Sequence, residues 1–142
     1  MKELILRTPK NLSFFKRIVK DLSSVIQRQL PKEVAVVALS PAKSRAINRR
    51  YRKKDRATNV LSFRYSPAYG EILVCPAVIR AEAKKQKHSF KYQMTWMVVH
   101  GMLHLSGLHH EESKTAEKRS LRIERSVLAK IFNGAEEHRH GS

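Results

Sequence analysis

Residues 90–110 read FKYQMTWMVVHGMLHLSGLHH, and the rest of the chain is best understood around them. From Phe90 to Leu105 the residues are apolar on nearly every side of a helix, which predicts a helix buried at the centre of the protein. Gly107 predicts the end of this helix, because glycine readily adopts the left-handed backbone conformation found there. A rigid central helix is a suitable support for a functional site.

Three histidines in this stretch are spaced for metal binding. His100 and His104 are four residues apart, so a helix places both imidazoles on one face, one turn apart. After the turn at Gly107, His110 can approach the other two. Three converging imidazoles with an open fourth position are typical of catalytic zinc. We therefore predict one zinc ion per chain, with His100, His104 and His110 as its ligands.

The spacing H-x-x-x-H-x-x-G-x-x-H is also that of the metzincin proteases, with one difference. Those enzymes carry a Glu directly after the first histidine, where it acts as general base. Gly101 occupies that position here and cannot accept a proton. The metal-binding half of the motif is therefore present without the peptidase base.

The composition indicates an anionic partner. Among 142 residues, Lys and Arg number 29 against 12 Asp and Glu, for a net charge of +17. An excess of this size predicts a polyanion such as nucleic acid, with an anionic membrane surface as the second possibility. Cys75 is the only cysteine, which excludes an intrachain disulfide and fits a reducing cytoplasm.

Hydrophobic periodicity predicts an α+β protein, a small mixed sheet of about four strands with helices packed on it. The β-α-β order at the start predicts a parallel pair, and the turn around Pro67 and Gly70 predicts a hairpin. We expect one domain over residues 1–142, with a polar tail from about residue 135 and no membrane-spanning segment. The predicted strands are 3–7, 33–39, 60–65 and 71–74, and the predicted helices are 12–30, 41–51, 76–87, 90–105 and 111–132.

A basic segment over residues 43–56 contains Asp55 as its single acid. Arg binds phosphate with a planar fork, Lys adds a point charge, and Tyr51 can stack on a base. We predict that this segment follows a nucleic-acid backbone. The residues assigned to binding are Arg49, Arg50, Tyr51, Lys53, Lys54 and Arg56.

Glu71 is the only carboxylate in the predicted strand pair of residues 60–74. It is a candidate proton acceptor or a partner for a metal ligand. An exposed strand residue without a catalytic role is an equally good interpretation.

These motifs together resemble the YbeY family of zinc-dependent endoribonucleases, also called rRNA maturation factors. Residues 100–110 (HGMLHLSGLHH) are similar to the family pattern H-G-x-L-H-L-x-G-x-D-H, with His109 in place of the Asp. Residues 51–63 (YRKKDRATNVLSF) resemble Y-R-x-x-D-x-P-T-[DN]-V-L-S-F, with Ala57 in place of the Pro. Residues 70–72 match the family's G-[DE]-I.

The resemblance implies that the three histidines bind zinc and that Arg52 lies near the metal in an RNA-binding cleft. It implies cleavage of single-stranded RNA, in the processing of small-subunit ribosomal RNA and in ribosome quality control, with the ribosome or its small subunit as partner. We assign Arg52 and Glu71 to catalysis. The attacking group can be a zinc-bound hydroxide or the RNA 2′-hydroxyl.

Two other functions stay open at this point. One is a zinc metalloprotease-like hydrolase, and the other is a non-catalytic ribosome- or RNA-binding factor with structural zinc. Structural zinc normally has four protein ligands, for which His109 is the available fourth candidate.

Overall fold

The computed structural model describes residues 4–9, 15, 17–107 and 114–132. This part of the chain forms four strands and six helices, and the α+β class is confirmed. Their order is β1 (Ile5–Arg7), α1 (Ile18–Asp21), α2 (Ser24–Gln29), β2 (Glu33–Ala38), α3 (Pro41–Arg52), β3 (Val60–Arg64), β4 (Tyr69–Val74), α4 (Pro76–Gln86), α5 (Phe90–Leu105) and α6 (Lys114–Phe132).

The four strands form one mixed sheet in the order β1-β2-β4-β3. β1 pairs parallel to β2, and β2 pairs parallel to β4, while β3 and β4 form an antiparallel hairpin. The predicted parallel pair and hairpin are therefore confirmed. β3 lies at an edge of the sheet, so one side of its backbone faces away from the other strands.

The two faces of the sheet have different coverings. Side chains alternate along a strand, so Ser62 and Ile72 point to one face while Phe63 and Glu71 point to the other. The inner face packs against α5, where Ile72 is fully buried. The outer face, which carries Phe63 and Glu71, lies toward α3.

The predicted central helix is confirmed as α5. At its start, the Ser89 hydroxyl accepts a hydrogen bond from the Tyr92 N–H at 3.0 Å, as a helix N-cap does. The helix ends at Leu105 with Ser106 as its C-cap, and Gly107 follows with a φ of 90°. None of the described helices combines the length and apolar character that spanning a membrane requires.

The predicted helix over residues 12–30 is wrong as one continuous element. Within its described part, α1 ends at Asp21 and α2 begins at Ser24, separated by an extended Leu22. The Ser23 hydroxyl accepts a hydrogen bond from the Ile26 N–H at 3.3 Å and thereby starts a new helix. This break leaves both Leu22 and Ile26 in the core.

The start of β4 differs from its predicted position, and the predicted start of the last helix cannot be compared with the structure. β4 begins at Tyr69, two residues before the predicted strand, because Tyr69 continues the pairing with Glu33 of β2. The predicted start of the last helix at residues 111–113 and the predicted polar tail lie outside the described residues.

Gly101 brings α5 into close contact with the inner face of the sheet. A Cβ added at this position would lie 2.8 Å from Ile72 Cγ2 and 3.0 Å from Ser62 Oγ. The Ser62 hydroxyl also donates a long hydrogen bond of 3.4 Å to the Gly101 carbonyl. No larger residue fits here unless the helix or the sheet moves, so this contact fixes the distance between them.

We predict that Gly101→Ala destabilises the protein, although the same change inside a helix ordinarily stabilises it by about 0.5–1 kcal/mol. The added methyl group overpacks the contact with Ile72, and the free energy of unfolding should fall by about 1–3 kcal/mol. Urea denaturation measures this change. The exposed Ser126→Ala in α6 is the control and should change stability by less than about 0.5 kcal/mol. A Gly101→Ala variant at least as stable as the wild type would contradict the packing argument.

Candidate active site

His100 and His104 form a close pair on α5. Their Nε2 atoms lie 3.2 Å apart. Two nitrogen ligands of a tetrahedral zinc ion, each bound at about 2.0–2.1 Å, are separated by about 3.3–3.4 Å. The observed contact is that of a hydrogen bond between the two rings, and it is close to the spacing that one zinc ion would require.

Glu124 on α6 holds His100 from behind. Its Oε2 atom lies 2.9 Å from His100 Nδ1, and the carboxylate also accepts hydrogen bonds from Trp96 Nε1 at 2.7 Å and Ser120 Oγ at 2.9 Å. A carboxylate on Nδ1 favours the tautomer in which Nδ1 carries the proton and Nε2 carries the lone pair, which is the form of histidine that binds metals. This is a common arrangement behind metal-ligating histidines.

The Glu124 carboxylate stays ionised although it is buried. Burial raises its pKa, while the hydrogen bond and charge interaction with His100 and the hydrogen bonds from Trp96 and Ser120 lower it. The lowering contributions prevail, and the pKa lies below its ordinary value of 4.5. A buried negative charge beside the histidine pair also favours a cation there.

Glu124 was not among the site residues predicted from the sequence. It lies on the buried face of α6, where Ala116, Val127 and Leu128 are apolar and Ser120 is polar. A single carboxylate in the apolar stripe of an amphipathic helix was the feature that pointed to a buried partner.

The third predicted ligand, His110, lies outside the described residues, as does His109. Within residues 4–107 and 114–132, as far as they are described, no group of three His, Cys, Asp or Glu side chains is arranged to hold a metal. All three ligand assignments therefore stay predictions, and the structure describes the positions of His100 and His104 alone.

The histidine pair opens into a cleft of about 480 Å³ that runs along the edge strand β3. Arg52, the last residue of α3, lies in the same cleft as His100 and His104, so the structure brings these three predicted residues together. The other lining residues are Tyr51 and the run Thr58, Asn59, Val60, Leu61, Ser62 and Phe63.

Buried polar side chains of α3 position Arg52. The Ser44 hydroxyl accepts from the Thr58 N–H and donates to the Thr58 carbonyl, both at 2.9 Å, and Asn48 Nδ2 donates to the Arg56 carbonyl at 2.9 Å. These bonds fasten the loop that follows α3 back onto the helix, and they hold the end of α3 against the cleft. Sequence patterns did not indicate this role for Ser44 or Asn48.

The basic segment is largely unneutralised. Arg45 forms two hydrogen bonds with Asp55, at 2.8 and 3.0 Å, and this contact lowers the Asp55 pKa. Asp55, the single acid of the segment, is therefore paired with Arg45. The exposed Arg49, Arg50, Arg52, Lys53, Lys54 and Arg56 form no ion pair with any acid in the described part of the chain.

The catalytic assignment of Glu71 at the histidines is wrong. Its side chain points to the outer face of the sheet, where it accepts hydrogen bonds from Tyr65 at 2.9 Å and Tyr69 at 2.8 Å. The histidine helix packs on the inner face, against Ile72. Successive residues of a strand point to opposite faces of the sheet. Glu71, the neighbour of Ile72, therefore points away from the histidine pair and cannot reach it.

Position 101, where metzincins carry their general base, has no space for a Glu side chain in this fold. Gly101 faces Ile72 and Ser62 in the sheet, whereas His100 and His104 face the cleft. A Glu at position 101 would have to enter this contact, where even a methyl group is too large. The metalloprotease alternative therefore has neither the base nor the space for it.

An α+β fold with a helix-borne histidine pair, an arginine and a basic segment at one cleft is typical of hydrolytic enzymes with anionic substrates. Comparison with known proteins agrees. Residues 2–131 match the family model described as Endoribonuclease YbeY. The chain belongs to the YbeY endoribonuclease family.

Individual relatives give the same result. Endoribonuclease YbeY of Pseudoalteromonas translucida is 38% identical over 106 residues, which cover 70% of this chain and 69% of that protein. The Thermotoga neapolitana protein of the same name is 36% identical over 110 residues, covering 72% and 74%. A solution structure of TM1509 from Thermotoga maritima has a TM-score of 0.63 at 25% identity, covering 92% of this chain and 89% of that one.

We predict that Glu124→Ala lowers the free energy of unfolding by about 3 kcal/mol, since the buried Ser120 hydroxyl and the half-buried Trp96 and His100 rings lose their shared acceptor. Glu117→Ala on the same helix is the control, because Glu117 is exposed and its loss should cost less than about 0.5 kcal/mol. Chemical denaturation of both metal-free variants measures the difference. Equal stability of the two variants would show that the Glu124 network does not hold the site together.

Proposed function

We propose that this protein cleaves single-stranded RNA at a zinc ion held by His100, His104 and His110. The observation that supports this most strongly is the pair of Nε2 atoms 3.2 Å apart in the same cleft as Arg52. Membership of the YbeY endoribonuclease family supports RNA as the substrate.

Each described residue of the site has a definite task in this proposal. Glu124 holds His100 by Nδ1 and directs its Nε2 lone pair toward His104, where the metal would bind. Arg52 binds the phosphate to be cleaved and stabilises the negative charge that develops on it. A bound zinc ion would supply Lewis-acid polarisation of a phosphate oxygen or activation of water.

The basic segment supplies the remaining affinity for RNA. Arg49, Arg50, Lys53, Lys54 and Arg56 are exposed beside the cleft, where they can neutralise backbone phosphates. Tyr51 lines the cleft and is 59% exposed, so its ring is available to a base.

We further propose a cytoplasmic role in processing of small-subunit ribosomal RNA and in ribosome quality control. The resemblance to rRNA maturation factors supports the substrate, and the net charge of +17 supports a large RNA assembly as partner. A lone cysteine fits the reducing cytoplasm.

The site geometry disfavours the two alternative functions. A protease-type base has no space at position 101. Structural zinc is normally enclosed by four protein ligands, whereas a cleft of about 480 Å³ opens directly beside this histidine pair. Open space at the metal is what a substrate needs.

The direct test compares zinc content and RNA cleavage in three variants. His104→Ala should lose both zinc and activity, because one of two described ligands is removed. Arg52→Ala should keep its zinc and cleave single-stranded RNA about 100-fold more slowly, since it loses only charge stabilisation. Arg28→Ala, an exposed arginine of α2 outside the cleft, controls for net charge and should behave as the wild type.

Each measurement has a result that contradicts the proposal. Full zinc occupancy in His104→Ala would remove this residue from the metal site, and unchanged turnover in Arg52→Ala would remove Arg52 from catalysis. Chelator-sensitive digestion of casein by the wild type, without RNA cleavage, would favour the protease instead.

A further inference from the structure

A row of four aromatic rings leads away from the active-site cleft, and we call it the aromatic ladder: Tyr51, Phe63, Tyr65 and Tyr69. The Tyr51 and Phe63 rings meet edge to face with centroids 5.2 Å apart. Phe63 and Tyr65 stack at 6.3 Å, and Tyr65 and Tyr69 stack at 5.9 Å. Phe63 and Tyr65 are two residues apart near the end of β3, so they share the outer face of the sheet.

The aromatic ladder is continuous with the active site. Tyr51 and Phe63 line the cleft that contains His100 and His104, and they also line a second cleft of about 450 Å³ between α3 and the outer face. Tyr65 and Glu71 belong to this second cleft. A strand bound at the histidine pair can therefore pass over the edge of the sheet and onto the ladder.

The ladder is exposed where a ligand would need it. Tyr51 is 59% and Tyr65 is 61% exposed, which is unusual for large rings that pack on neighbouring rings. Tyr65 stacks between Phe63 and Tyr69, so its orientation is set even though most of its surface is accessible.

Glu71 fixes the outer end of the ladder. Its two carboxylate oxygens accept hydrogen bonds from the Tyr65 and Tyr69 hydroxyls. The hydrogen bond to Glu71, together with burial and the Glu71 charge, raises the pKa of Tyr65 to about 12. Both hydroxyls therefore remain donors at neutral pH, and the rings are held in place before any ligand binds.

Charge favours a nucleic acid as the ligand of this surface. The Arg50 guanidinium lies over the Tyr51 ring, 5.4 Å from its centroid, and Arg50 also lines the second cleft. Aromatic rings beside basic side chains are the arrangement with which proteins bind single-stranded nucleic acid without reading its sequence.

We propose that the aromatic ladder is a base-stacking subsite for the RNA strand on one side of the cleaved phosphate. Tyr51 and Phe63 receive the base next to the cleavage centre, and Tyr65 receives one further along the strand. Stacking between Phe63 and Tyr69 sets the plane of the Tyr65 ring, and the Glu71 hydrogen bond to its hydroxyl adds to this hold without being required for stacking. This inference depends on the proposed function for the identity of the ligand and adds the course of the flanking strand.

The test measures binding without cleavage. A fluorescently labelled ten-nucleotide single-stranded RNA is titrated with the full-length protein in excess EDTA, and its anisotropy gives the Kd. Tyr65→Leu removes the π-face and keeps apolar bulk, so affinity should fall about fivefold or more, the smallest loss expected for one stacked base. Tyr65→Phe keeps the ring and should bind within about twofold of the wild type.

A second RNA series locates the subsite on the strand. Removing single bases in turn, with the sugar and phosphate kept, should weaken wild-type binding at positions on one side of the cleavage site. In Tyr65→Leu one of those positions should no longer matter. The slope of log Kd against log salt should be unchanged in this variant, since no phosphate contact is lost. Val25→Ala, an exposed apolar residue of α2 outside both clefts, controls for lost apolar surface.

Several results would overturn the subsite. They are wild-type affinity in Tyr65→Leu, equal losses in Tyr65→Leu and Tyr65→Phe, and no RNA binding by the wild type.

The two proposals can fail separately. RNA cleavage by the metal-loaded wild type, together with wild-type RNA affinity in Tyr65→Leu, leaves the proposed function and removes the subsite. Loss of the stacked position in Tyr65→Leu, with no cleavage by the wild type, leaves an RNA-binding surface and removes the proposed activity.

Discussion

The contact between Gly101 and Ile72 places α5 against the sheet, and the positions of the functional side chains follow from it. Because Gly101 faces the sheet, its neighbour His100 and the next-turn His104 face the cleft at the β3 edge. The same contact removes the position that a metzincin base would occupy. Gly101 thus leaves no space at the position where a protease with this histidine spacing carries its base.

The contact between α5 and the sheet does not by itself orient the His100 ring. α6 provides the carboxylate, Glu124, that does so. Glu124 reaches the back of His100 and is itself held by Trp96 and Ser120. Across the cleft, Ser44 and Asn48 hydrogen-bond to the loop after α3. These bonds hold the end of α3, and with it Arg52, in a fixed position. Helices on both faces of the sheet therefore meet at its edge strand, where an extended RNA chain can lie.

The sequence was informative where a local pattern had one structural solution. Histidines four residues apart, Gly107 after an apolar helix and the β-α-β order each predicted a feature that the structure has. Glu71 was misassigned because a strand pattern does not say which face packs on which helix. Ser23 divided a helix whose apolar stripe looked continuous, and Glu124 was overlooked because its partner His100 is distant in sequence.

The most direct test of this account is zinc K-edge X-ray absorption on the purified protein loaded with one equivalent of zinc. The account predicts three imidazole nitrogens at about 2.0–2.1 Å and one oxygen that no protein residue supplies. That oxygen should be displaced when a non-cleavable RNA analogue binds. A site closed by four protein ligands, or a zinc ion bound without His100 and His104, would contradict it.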